Sequence, residues 1–139
     1  MWKYKNKKIN THLDLFPECT DFVYCLYYES GKRYIGKKCV RSMRRLKPTK
    51  EQLKIRKNYK RVEFKELPFI NYTGSSKETE NEVVTHKEIL FQCSGKKTAT
   101  YIEAAILFEE GALFSDIYLN KNISGVFFDN SLDGLLDRE

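Results

Sequence analysis

The chain has 139 residues, of which 41% are hydrophobic and 32% charged, and it carries a net charge of +6. That length suits one domain with its own core and leaves no comfortable space for a second module. The apolar content excludes a disordered chain, no stretch reaches the ~20 apolar residues of a membrane span, and the basic start over 1–8 lacks the apolar run of a signal peptide, so a cytoplasmic protein is expected.

Residues 1–20 read as a basic, irregular lead-in, interrupted at Pro17. Residues 21–28 are aromatic and β-branched and read as a strand. Glu29-Ser30-Gly31-Lys32 makes a turn, and residues 33–37 return as the second strand of an antiparallel hairpin. Helices are expected over 39–47 and 50–63, separated by Pro48, with Thr49 as N-cap and Gln52 as its capping-box partner. Pro68 ends that region. Residues 69–72 lead into the turn at 73–76, and a polar helical stretch precedes a third strand over 87–93. After a turn at 94–97 comes the strongest helix, 98–110, where Tyr101, Ala105 and Phe108 share one stripe and Ile102 and Ile106 lie beside it. Gly111 is its natural stop. Residues 124–139 show no period and read as an acidic, peripheral tail. The expected fold is α/β in the segregated, α+β sense: a small three-stranded antiparallel sheet flanked by helices.

The four cysteines form no CxxC pair, and His12 and His86 lie far apart, so neither a structural zinc site nor a redox pair is expected. The distribution of charge is more informative. Residues 31–65 hold 15 basic side chains against two acids, a balance of +13, whereas residues 100–139 hold eight acids against two bases. A cluster of that density repels itself until a polyanion relieves it, and nucleic-acid phosphates do so with release of counterions. A solvated basic helix is the competing explanation. An anionic membrane fits less well, because the segment lacks a strong apolar face.

Glu103 is out of place in a run that otherwise belongs against a core. A carboxylate there must be compensated, and a divalent cation is one way to do it; the solvent face of an amphipathic helix is the other explanation. Tyr24 and Tyr34 lie on the paired strands, and Gly36 permits close approach of backbone or ligand.

Phe22-Val23-Tyr24, followed by nine residues and then Tyr34-Ile35-Gly36, resembles the two signature strands of the GIY-YIG endonucleases. The second half matches to the letter; the first has Phe22 in the place of glycine. Arg44 falls on the family's arginine in the helix after the second strand, with Arg45 as a substitute for it. Glu103 falls on the metal-binding glutamate of a late helix, Asn120 on the asparagine that follows it, and Lys37 on a frequent lysine. Residues 72–76 look like the stand-alone, phage-type, homing-endonuclease-like members. The resemblance covers roughly residues 21–123.

The resemblance implies hydrolysis of DNA phosphodiester bonds with one divalent ion, Mg²⁺ or Mn²⁺, held by Glu103. Arg44 would neutralise the non-bridging oxygens. Tyr24 would be the base that deprotonates water, its pKa lowered by Lys37 or Lys38, and Tyr34 would position water or phosphate. Asn120 would fix the local geometry or contact substrate. Lys38, Arg41, Arg45, Lys47, Lys54, Arg56, Lys57, Lys60 and Arg61 would hold the DNA backbone with little base reading. Nicking with low sequence specificity follows, unless a homodimer or another partner adds specificity. Two other readings are a catalytically inactive DNA-binding domain of the same fold and a phage protein-interaction or inhibitor module.

Overall fold

The computed structural model describes residues 1–57, 61–134 and 136. In chain order its elements are β1 (Trp2–Tyr4), β2 (Lys7–Ile9), β3 (Asp21–Tyr28), β4 (Arg33–Cys39), β5 (Arg41–Leu46), α1 (Lys50–Ile55), β6 (Arg61–Glu66), β7 (Val84–Cys93), α2 (Lys96–Glu109), β8 (Asn122–Ile123) and β9 (Phe127–Phe128). The main sheet has the order β2-β1-β7-β3-β4, with β1 parallel to β7 and the other neighbours antiparallel.

The aromatic run over 21–28 became the strand that sorts the core. Phe22, Tyr24, Leu26 and Tyr28 pack with Trp2, Val40, Phe69 and Ile89 on one face. Val23 and Cys25 pack on the other with Ala99 and Leu107 of α2 and with Ile123. Both faces of β3 are covered, which is why it reads as one unbroken buried run. All four cysteines are free thiols.

The sheet has five strands, not the three expected. The two extra strands come from the lead-in, which is therefore not irregular. Trp2 is fully buried, and its indole N–H donates to the Phe69 carbonyl at 2.9 Å. Lys7 and Lys8 are exposed on the outermost strand, where lysines discourage edge-to-edge pairing and also make the strand look like a basic tail.

The helix expected over 39–47 is replaced by strand β5 over Arg41–Leu46, and among the described residues of the expected 50–63 helix only Lys50–Ile55 are helical. That short helix starts with the expected reciprocal capping box between Thr49 and Gln52. β5 and β6 pair only with each other, from Arg41↔Glu66 to Leu46↔Arg61, and form a separate ribbon. Lys, Arg, Leu and Gln favour helix intrinsically, but pairing with a distant segment overrides that weak preference. The polar stretch after Ser76 holds only a 3-10 turn, Lys77–Thr79, before β7 begins.

Helix α2 packs against β3, β4 and β7. Its inner side is Ala99, Ile102, Glu103, Ile106 and Leu107; the stripe Tyr101, Ala105 and Phe108 faces outward. The start of the acidic tail is packed rather than loose: β9 pairs with β8, and the Phe127 ring meets Phe108 edge-on with centroids 5.5 Å apart. Among the described residues no helix is long and apolar enough to cross a membrane.

Candidate active site

Tyr24 on β3 stands directly opposite Gly36 on β4. A Cβ at Gly36 would lie 2.4 Å from the Tyr24 hydroxyl oxygen and 2.5 Å from its Cζ. The glycine is the floor on which the phenol lies, a requirement no other residue type meets. The ring is held edge-on by Trp2, Phe22 and Tyr72, with centroids 5.4, 6.1 and 5.9 Å away. Phe22, where the signature departs from glycine, is wholly buried and packs between Trp2 and Phe69. Tyr34 pairs with Leu26 and so shares the Tyr24 face of the sheet; it is half-buried, whereas Tyr24 is 2% exposed.

Glu103 sits on the inner side of α2, which runs along β4, the last strand of the sheet. Its carboxylate is within electrostatic reach of both phenols. Burial pushes the Glu103 pKa up, and the Lys37 ammonium only partly offsets that. Lys37 Nζ donates to Thr100 Oγ1 at 2.5 Å, one turn before Glu103. Both phenols are pushed up as well, first by burial. For Tyr24 the hydrogen bond to Tyr72 adds to the rise; for Tyr34 the Ser76 hydroxyl opposes it. The expected lowering of Tyr24 by a lysine is absent, because Lys37 is directed to Thr100 and Lys38 Nζ lies 4.5 Å above the Tyr72 ring.

Asn120 is buried and clasps the signature strand. Its Oδ1 accepts from the Ile35 N–H at 3.0 Å and its Nδ2 donates to the Ile35 carbonyl at 2.8 Å. Residues 117–119 run beside the same edge, with the Arg33 N–H bonded to the Ile117 carbonyl and the Leu119 N–H to the Arg33 carbonyl. Asn120 therefore positions Tyr34 and Gly36 from behind.

The basic candidates separate into two groups. The Arg41 guanidinium is turned into the fold, donating to the carbonyls of His12, Phe16, Pro17 and Cys19 at 2.7–3.2 Å. It is a structural clasp, not a free DNA contact. Arg44, Arg45, Lys47, Lys54, Arg56, Lys57 and Arg61 are exposed on the ribbon and α1, and Lys60 lies outside the described residues. Arg44 is on a strand, opposite Glu63, instead of on the expected helix, and Arg45 projects from the other face of the ribbon. A cleft of about 380 Å³ lined by Lys37, Ser42, Met43, Gly95 and Lys96, among others, joins the ribbon root to the Lys37 side of the cluster.

Sequence reasoning missed the role of residues 72–78. The Tyr24 hydroxyl donates to the Tyr72 hydroxyl at 3.5 Å, and the Tyr72 and Ser75 oxygens are 3.4 Å apart. Ser76 bonds to Glu78, whose charge reaches Tyr34. The signals were the turn-forming run Tyr72-Thr73-Gly74-Ser75-Ser76 beside an apolar segment and its likeness to stand-alone family members.

Among the described residues no group of three or more His, Cys, Asp or Glu side chains gathers, so Glu103 is a candidate metal ligand by itself. Glu103 is a half-buried carboxylate whose burial Lys37 does not fully compensate, which suits an ion that keeps most of its waters and takes one protein carboxylate.

No curated protein and no solved structure gives a match. The family model described as "Putative endonuclease segE, GIY-YIG domain" matches residues 2–123. With the paired Tyr24 and Gly36 at its centre, the chain belongs to the GIY-YIG endonuclease family.

Proposed function

We propose that this nuclease is a divalent-metal-dependent DNA endonuclease that nicks one strand with low sequence specificity. What supports this most is that Glu103, on the inner side of α2, lies within electrostatic reach of Tyr24 and Tyr34, with a strongly basic ribbon following β4. Water attacks phosphorus, the bond to the 3′ oxygen breaks, and a 5′-phosphate and a 3′-hydroxyl result. Glu103 would hold Mg²⁺ or Mn²⁺, which supplies positive charge for the leaving oxygen when bound.

The more accessible phenol, Tyr34, is the better base. It takes the proton of the attacking water while the Ser76 hydroxyl supports its anion. Tyr24, enclosed by Trp2, Phe22 and Tyr72, orients the site. Its hydrogen bond to Tyr72, and that of Tyr72 with Ser75, link it to exposed side chains. Lys37 draws the Glu103 pKa back down, against the larger upward push of burial. Arg44, or Arg45 in its stead, reaches from the ribbon to the non-bridging oxygens, and Asn120 positions β4.

Incubation with supercoiled plasmid and Mg²⁺ tests the proposal. Open circles should accumulate before linear DNA, and Glu103→Gln should bind plasmid without nicking it. Salt-sensitive binding with no nicking by the wild type would make the chain an inactive DNA-binding domain. Absence of any DNA affinity would favour a protein-interaction module.

A further inference from the structure

The β5–β6 ribbon is a two-stranded sheet separate from the five-stranded one. Residues 41–57 and 61–66 carry ten basic side chains and three acidic ones. Glu66 is spent on His12, and Glu51 lies in the first turn of α1, where a carboxylate suits the helix dipole. On one face Met43 and Phe64 stand directly opposite each other and are 62% and 55% exposed. An apolar pair amid cations is suited neither to open solvent nor to a purely phosphate-binding surface.

The root of the ribbon is fixed. Arg41 grips four carbonyls, and His12 Nε2 lies 3.1 Å from the Val40 carbonyl and 2.8 Å from the Leu67 carbonyl. His12 Nδ1 lies 3.0 Å from Glu66 Oε2. The Leu67 N–H also bonds to the Val40 carbonyl at 2.9 Å, so both strands leave the body at a set angle from the end of β4, the strand of Tyr34 and Lys37.

We propose that this ribbon, with α1 at its tip, is a rigid arm that lies in the major groove of duplex DNA and delivers the scissile phosphate to the Tyr34–Glu103 cluster. The proposal rests on the endonuclease reading and adds how the duplex is held. A two-stranded ribbon fits a groove about 12 Å wide. Met43 and Phe64 would face base edges and thymine methyls, while Lys50, Lys54 and Arg61 would meet the flanking phosphates. The cleft lined by Lys37, Ser42, Met43 and Lys96 gives the strand a path from arm to site.

The test uses the full chain in EDTA with a 30-base-pair duplex and one of its single strands. The variant is Lys50→Gln/Lys54→Gln/Arg61→Gln, with circular dichroism and thermal melting confirming that it folds. Wild type should bind duplex at least tenfold more tightly than single strand. The variant should lose at least tenfold in duplex affinity, its salt slope should fall by about 2 to 3, and single-strand binding should not change. Unchanged duplex affinity, or equal losses on both probes, overturns the arm. So does conversion of a dimer to a monomer with duplex affinity intact, which would make the ribbon an interface between copies. Nicking is scored separately with plasmid and Mg²⁺. Arm-dependent duplex binding without nicking by the wild type supports the arm and removes the nuclease reading; nicking with arm-independent binding removes only the arm.

Discussion

At the scale of single residues, Gly36 has the sharpest consequence. In Gly36→Ala the new methyl meets the Tyr24 ring, which Trp2, Phe22 and Tyr72 prevent from moving aside. Overpacking of this kind costs about 1–3 kcal/mol, so the urea midpoint should fall and cleavage should be lost with it. Tyr34 is tested by chemistry instead. Tyr34→Phe should lower the single-turnover nicking rate by about 10²- to 10⁴-fold with DNA affinity unchanged. Burial raises the pKa of Tyr34, so at neutral pH little of it is the phenolate. The wild-type rate should therefore climb with pH across the neutral and alkaline range, and in Tyr34→Phe the climb should flatten. A pH-independent wild-type rate would assign the proton to another group.

At the scale of elements, two side chains act as bolts. Asn120→Ala leaves the buried N–H and carbonyl of Ile35 without their side-chain partner. An unsatisfied buried polar group costs about 1–3 kcal/mol, so this variant should melt early and cleave poorly, and Asn120→Asp should recover only part of the loss because it keeps the acceptor and not the donor. Arg41→Ala should leave the catalytic sheet folded and loosen the ribbon, read as faster amide exchange in β5 and β6. The hairpin of β3 and β4 and the helix α2 were legible in the sequence because an aromatic run, a Gly31 turn and a helical period are local signals. The ribbon was not, since its strands are rich in helix-favouring Arg, Lys and Leu and depend on partners some twenty positions away. β2 was hidden by the edge lysines Lys7 and Lys8, and β1 by its length of three residues. For the site, the tyrosines, Lys37, Glu103 and Asn120 were picked out as an ordered set by their resemblance to the family's pattern. Which phenol is accessible was not, because that depends on Trp2 and Tyr72 closing over Tyr24 from distant segments.

At the scale of the whole molecule, the two-sided core predicts its own alkaline limit. Burial pushes the Cys19 and Cys25 thiols up to about 11 from an ordinary 9.0. Groups whose pKa is raised by folding stabilise the fold fully below their unfolded value and cease to do so as pH climbs through the folded one. The melting temperature should hold to about pH 9 and fall toward pH 11, and Cys19→Ala/Cys25→Ala should show a shallower fall. The measurement that bears most directly on the nuclease is a double-mutant cycle on single-turnover nicking with Mg²⁺, using Glu103→Gln, Tyr34→Phe and the pair together. If carboxylate and phenol serve one reaction centre, each single variant should lose at least 100-fold and the double little more than the worse of the two. Single variants that nick at the wild-type rate, or losses that multiply in full, would contradict it.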